Sequence, residues 1–376
     1  MIYIVGYSYT PNSAACIRLR SLISGFAASL ESIKIVFFES DRYNSRLVSE
    51  FSNISIKNYW RDGVSPSKLR RFFSLLLHML SFCFHLRPGD DVLVMGFSEM
   101  LPILFLRKKC KIYYEITENP EVSLSISAKG TSVQKFINYC KRLSGLFVIS
   151  ESLKNYFVEK GIEREKIHVI NMTVDPDRFR GIKKNAEKRY IAYCGTASNN
   201  KDGVDQLIKA FAIFARTHPG IALQIIGKTP NSGQAFNNLN LVKDFHLERQ
   251  VVFLGQVDSS LIPQLLVNAE VLALDRPDNI QAKYGFPTKL GEYLMTANPV
   301  VVTSVGDIPL FLSDNVSAYL SAPDNPSAFA SKLEEAIDHP KDARRVGLEG
   351  RRVALNSFNG KNEGRKMISI IQCNHK

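Results

Sequence analysis

Short β-branched runs alternate with helical stripes along almost the whole chain, and a chain of that pattern closes as parallel sheets covered by helices on both faces. The runs predict strands at 2–5, 33–38, 91–95, 111–114 and 146–149, and a second series at 190–194, 221–226, 251–254, 271–274 and 300–303. Between the series, KIHVINMTVDPDRF (166–179) holds one more strand and then a polar, proline-containing stretch, with a basic run from Lys183 to Arg189 behind it. A linker there divides 376 residues, too many for one core, into two α/β domains. The expected boundaries are 1–180 and 181–357, with 358–376 a C-terminal helix packing back on the first domain. Open sheets bind ligands at the carboxyl ends of their strands, so two such domains facing a cleft place the chemistry in that cleft.

The second domain offers the most pointed segment, Tyr284-Gly285-Phe286-Pro287-Thr288-Lys289-Leu290-Gly291-Glu292. Gly285 and Pro287 break any strand, so a helix starts near Thr288 with its unpaired N–H groups facing outward. Leu290, Tyr293, Leu294 and Ala297 then form a buried stripe, and Lys289 and Glu292 share the opposite part of the wheel. A cation, a carboxylate and a helix N-terminus suit a nucleoside diphosphate, with the acid accepting ribose hydroxyls; an ordinary surface helix explains the same letters. Earlier, the strand at 190–194 runs into Gly195-Thr196-Ala-Ser-Asn-Asn-Lys201-Asp-Gly203. Lys201 stands at a helix start, where a cation opposes the dipole, which suggests an anion held there; a solvated loop lysine is the plain alternative. The strand at 251–254 ends in Gly255-Gln256-Val257, where glycine lets a flat base approach the backbone.

Six widely spaced cysteines without a CxxC pair argue against zinc or a redox dithiol and fit a reducing compartment, so neither metal nor cofactor is implied. The N-terminus lacks the basic and long apolar regions of a secretory signal, which sets the expectation of a cytoplasmic chain. Net charge is +12, and the first 180 residues carry 25 basic against 17 acidic side chains, favouring an anionic partner. Within 67–87, Lys68, Arg70 and Arg71 precede a Phe/Leu run too short and interrupted to span a bilayer. That segment reads either as an interfacial helix on anionic lipid or as a buried helix with a solvated basic end. No aromatic and basic interleaving of an RNA-binding type is present, so nucleic acid is not an expected partner.

Taken in order, the 166–179 linker, the Gly195–Lys201 loop with KDGV, FLGQV, GFPTKLGEY, NPVVVT and VGDI resemble the retaining glycosyltransferases of family 4, of GT-B fold. The resemblance covers nearly the whole chain and is strongest over 150–358. It implies two Rossmann-like domains and a nucleotide-sugar donor as substrate rather than cofactor. The implied donor site comprises Gly195, Thr196, Lys201, Gln256, Val257, Tyr284, Gly285, Phe286, Pro287, Thr288 and Lys289, with Glu292 on the ribose; Asp307 and Ile308 would line the same pocket. Two departures stand out. Thr196 occupies a position where members often carry arginine, and Tyr284 one where many carry glutamate, eight residues before Glu292. Lys289 is the replacement cation, and a variant subfamily reading GFPTK fits better than a dead enzyme.

On this reading Lys201 and Lys289 stabilise the departing phosphate, and no divalent ion is needed. Acceptor groups come from the first domain. Tyr7, Ser8 and Asn12 lie in a hydroxyl-rich loop after the first strand, with Arg18 in the following helix. Glu115 and Glu118 crowd the end of the strand at 111–114, as orienting groups or a base, or as parts of a plain turn. The acceptor is expected to be a saccharide or lipid-linked, in polysaccharide or lipopolysaccharide synthesis, with an anionic membrane surface as a further partner. A nucleotide-sugar epimerase and a non-catalytic nucleotide-sugar-binding paralogue are the alternatives.

Overall fold

The computed structural model describes residues 1–6, 14–29, 32–38, 52–58, 68–96, 101–105, 110–127, 132–185, 187–229 and 234–374. The chain divides into two units, 1–173 with 360–376, and 174–359. In the first, the strands are β1 (Ile2–Gly6), β2 (Ile33–Phe37), β3 (Ile54–Asn58), β4 (Asp91–Met95), β5 (Lys111–Ile116), β6 (Gly145–Val148) and β7 (Ile167–Val169). In the second they are β8 (Tyr190–Cys194), β9 (Ala222–Ile226), β10 (Val251–Gly255), β11 (Val271–Leu274), β12 (Val300–Thr303) and β13 (Tyr319–Ser321). Their orders are β3, β2, β1, β4, β5, β6, β7 and β10, β9, β8, β11, β12, β13, with every strand pair parallel. Both are doubly wound sheets whose order reverses beside the first strand, at β1/β4 and at β8/β11, the places where such sheets take ligands.

The strands are apolar because both sheet faces are covered. Every residue of β6, β11 and β12 is buried. In the first unit, Ile4, Phe26, Ile35, Leu93, Phe147 and Met367 share one core cluster. Met367 reaches it because the helix Gly360–Cys373 lies against the helix Ala14–Ala27. Gly25 and Gly364 allow this approach: a Cβ on Gly25 would stand 2.8 Å from both the Arg365 nitrogen and the Gly364 Cα. The boundary between the units falls at 173/174, earlier than the linker composition suggested, because Val174 N donates to Phe358 O at 2.8 Å and so joins the second unit. Asp175-Pro-Asp177 is a capped turn, with Asp175 Oδ1 accepting from Asp177 N at 3.0 Å, ahead of the 3-10 turn Pro176–Phe179.

Candidate active site

In the second unit the switch point lies between β8 and β11, and the loops leaving both strands are locked together. After β8 comes the turn helix Asn199–Asp202, capped by Ser198, whose hydroxyl accepts from Lys201 N at 3.3 Å. Gly203 ends it in the left-handed conformation (φ 58°), and a Cβ there would collide with the Asp275 carbonyl just beyond β11. Only glycine fits that contact. From the other side, Arg276 Nε donates to Lys201 O at 3.3 Å, while its own backbone exchanges hydrogen bonds with the Thr303 hydroxyl at the end of β12.

The helix Thr288–Met295 starts where the Gly/Pro punctuation predicted, with Pro287 before it and no side-chain cap on its first N–H groups. Leu290, Tyr293 and Leu294 are buried as the stripe required, but Ala297 is not part of it: the helix ends at Met295 and Ala297 turns the chain with φ 62° and is half-buried. Lys289 and Tyr293, one turn apart, both reach the exit of β8. The Tyr293 hydroxyl accepts from Cys194 N at 2.6 Å. Lys289 Nζ is ion-paired with Asp202 Oδ2 and donates to the Tyr193 hydroxyl at 3.2 Å. Asp202 is nearly sealed, with 3% of its side chain exposed against 16% for Lys289. Burial alone would raise the Asp202 carboxyl; the Lys289 ammonium, Arg276 and the Tyr193 hydroxyl together outweigh it and hold the group below the usual carboxylate range. Burial, followed by the charges of Arg276 and Lys201, lowers the Lys289 ammonium below the ordinary lysine value, with Asp202 opposing the shift. Lys289 and Arg276 therefore act on Asp202, and Lys201 acts on Lys289, so three basic side chains gather at the switch point.

Glu292 does not stand open on the same helix face. Its Oε1 is ion-paired with Arg178 Nη1, and Arg178 Nη2 donates to Ser259 O at 3.2 Å. Gln256 is exposed and Val257 half-buried in the loop between β10 and Ser259. Gly255 has φ 67° and nothing within 4 Å of the place a Cβ would take. Phe286, expected among the donor contacts, instead packs on Phe311 and Phe358 with ring centroids 5.5 and 5.4 Å away. Gly285 and Pro287 are buried with it, Tyr284 and Thr288 are half-buried, and Thr196 is exposed. Asp307 and Ile308 are both buried at the start of the turn helix Ile308–Phe311.

On the acceptor side the structure corrects two expectations. Arg18 Nε donates to Glu115 Oε1 at 2.7 Å, and its two remaining nitrogens donate to Asn171 O and Ile170 O at 2.8 and 3.1 Å. Both side chains are buried, so each neutralises the other inside the first unit and neither is presented to a ligand. Asn119 Oδ1 caps the following helix by accepting from Glu121 N at 2.8 Å, the plain turn chemistry of that loop, and Glu118 beside it is half-buried. Tyr7, Ser8 and Asn12 lie outside the described residues. Among the described residues no cluster of three His, Cys, Asp or Glu side chains could hold a metal ion.

Sequence reasoning missed Asp275, Arg276 and Arg178. The first two directly follow a recognised strand at the switch point, which is a signal in itself. Asp275 Oδ2 is buried without a hydrogen-bond partner, and burial, joined by the charges of Asp324 and Asp205, pushes this carboxyl up to about 8. An unfolded aspartate titrates near about 3.9. Between those values the folded chain keeps a proton that the unfolded chain has lost, so this contribution to stability is full below about pH 4 and fades as pH rises through about 8. The thermal midpoint of the wild type is expected to fall between about pH 5 and about pH 8.5 more steeply than that of Asp275→Asn. Parallel midpoint curves for the two proteins would contradict this assignment.

Residues 175–353 match the family model described as glycosyl transferases group 1. An MMP alpha-(1->4)-mannosyltransferase from Mycolicibacterium hassiacum is 24% identical over 228 residues, 60% of this chain and 53% of that protein. The amylovoran biosynthesis glycosyltransferase AmsK of Erwinia amylovora is 24% identical over 229 residues, 60% of this chain and 56% of that protein. The chain thus spans about half the length of the curated relatives it matches. Among solved structures, Anabaena HepE in complex with UDP superposes with a TM-score of 0.75 at 16% identity, covering 99% of both chains. Sucrose-phosphate synthase from Thermosynechococcus elongatus gives 0.74 at 14% identity, covering 99% of this chain and 98% of that one. At such identities these likenesses speak for the fold alone. The match to the group 1 glycosyl transferase model thus covers most of the second unit, and the chain as a whole has the GT-B fold of those solved structures.

Proposed function

We propose that the chain transfers a sugar from a UDP- or GDP-sugar to a saccharide or lipid-linked acceptor, with retention and without a metal ion, in cell-surface polysaccharide or lipopolysaccharide synthesis. The observation that carries this reading is the gathering of Lys201, Lys289 and Arg276 at the β8/β11 switch point, next to the buried Asp202. Breaking the bond from the anomeric carbon to the diphosphate puts negative charge on the leaving phosphate, and cations already in place lower that barrier. Lys201, Lys289 and Arg276 are the cations this reading assigns to that charge. The uncapped N–H groups at Thr288 and Lys289 add partial positive charge. Glu292 takes the ribose, and the open backbone at Gly255 with Gln256 and Val257 takes the base. The departing phosphate accepts the acceptor's proton on the same face, which gives retention. HepE, of the same fold, has been solved with UDP, and the mannosyltransferase and amylovoran relatives suit glycan synthesis.

The direct test is turnover of a panel of labelled UDP- and GDP-sugars with and without glycan acceptors. Transfer that depends on acceptor supports the reading. Interconversion of the sugar without acceptor would replace it with an epimerase, and tight nucleotide binding with no turnover across the panel would leave a binding protein.

The lipid-linked part of the proposal rests on the helix Lys68–His85. Met79, Phe82, Cys83 and Leu86 are buried on one side, and the Phe82 ring meets Tyr3 with centroids 5.4 Å apart. On another sector Phe73, Leu77 and Phe84 are 54, 66 and 76% exposed, and Phe72, in line with the buried side but one turn from the helix start, is 61% exposed. The helix therefore has an apolar side left over after packing. Its first turn carries Lys68, Arg70 and Arg71, where positive charge opposes the helix dipole and an anionic surface would relieve it. No described helix is long and apolar enough to cross a membrane, so the fitting occupant is the interface of an anionic bilayer. In vesicle flotation at low salt, recovery is expected to be several-fold higher with anionic than with neutral lipid, and to drop in Phe72→Ser/Phe73→Ser. Equal recovery on both lipids would remove the proposal.

A further inference from the structure

Arg178 sits in the 3-10 turn Pro176–Phe179, and Asp175 fixes that turn by accepting from Asp177 N. One arm of its guanidinium holds Glu292 Oε1, and the other reaches Ser259 O at 3.2 Å, in the loop that also carries Gln256 and Val257. Both ion-pair partners are half-buried, so the contact is shielded from solvent more than a surface pair would be. A carboxylate offers about four acceptor positions. The Arg178 contact engages Oε1, leaving Oε2 and a second Oε1 lone pair for two hydroxyl donors side by side.

We infer that Arg178 is a positioning residue for nucleoside recognition: it fixes the Glu292 carboxylate toward a ribose cis-diol and ties it to the base-side loop. This rests on the nucleotide-sugar reading above. Arg178 itself touches no reacting atom, so its loss should weaken discrimination of the ribose rather than the chemical step. Lysine keeps the charge but not the two-armed geometry, and is only a partial substitute.

The test is calorimetric binding of UDP and GDP beside their 2′-deoxy counterparts to the wild type, Arg178→Ala, Arg178→Lys and Glu292→Gln, with melting curves to establish folding. The wild type is expected to prefer the ribonucleotide by about tenfold or more, the worth of a hydrogen bond to a charged acceptor. Arg178→Ala should bring that ratio close to one by weakening the ribonucleotide while leaving the deoxynucleotide nearly unchanged. Arg178→Lys should fall between, and Glu292→Gln should lose the preference with Arg178 still present. A folded Arg178→Ala with the wild-type ratio would overturn the inference, as would an unchanged ratio in Arg178→Lys if the alanine variant fails to fold. Absence of binding by the wild type to all four nucleotides would instead remove the donor reading itself, a different outcome.

Discussion

Lys289→Ala is expected to destabilise the second unit by about 3–5 kcal/mol, because it leaves Asp202 buried without its counter-ion. Asp202 is almost wholly enclosed, and Lys289 is its charged partner at the exit of β8. The Tyr193 hydroxyl, 2.9 Å from Asp202 Oδ2 and 2.6 Å from Thr196 O, loses its amine donor at the same time. Removing both charges in Lys289→Met/Asp202→Asn should be far milder than the sum of the single losses, since a neutral pair of similar volume has no buried charge to strand. Denaturant titration followed by a probe in the second unit measures all three. A single-variant loss below about 1 kcal/mol would mean that water or a neighbouring cation satisfies Asp202, and that the pair is not what holds the β8 loop.

That pair also marks the limit of what the sequence made legible. The periodicity placed the central strands of both sheets, because buried parallel strands are written as continuous apolar runs. It passed over β3 (Ile54–Asn58) and β13 (Tyr319–Ser321), edge strands short or polar enough to resemble loops. The start of the helix at Thr288 and its buried stripe were readable, since Gly285, Pro287 and the i, i+3, i+4 spacing act locally. Partner choice was not. Lys289 meets Asp202 across 87 residues and Glu292 meets Arg178 across 114, so two charges that looked ligand-directed on a helical wheel have protein partners. Arg18 and Glu115, 97 residues apart, fooled the same reasoning in the first unit, where strand ends that look like ligand sites also need charge compensation. Local pattern fixes which face an element buries, whereas tertiary contact decides which charges remain for a substrate.

Lys201→Ala is expected to lower kcat by about 10²–10³ with little change in melting temperature, the reverse of the signature at Lys289. Lys201 is exposed, unlike the sealed pair beside it, and its backbone helps to hold the turn: its N–H goes to Ser198 and its carbonyl receives Arg276. Truncating the side chain spares those backbone bonds and removes charge from the switch point. If the leaving diphosphate sits there, charge develops beside a site that has lost one of its cations, and the deficit appears mainly in the transition state. Donor KM should rise less than kcat falls, because ground-state binding is shared with the ribose and base contacts. Lys201→Arg should recover part of the rate by restoring charge at nearly the same reach. Steady-state kinetics with the preferred donor decide the matter: a variant within about twofold of wild-type kcat would place the phosphate elsewhere and leave the cation cluster as a structural feature of the β8 loop.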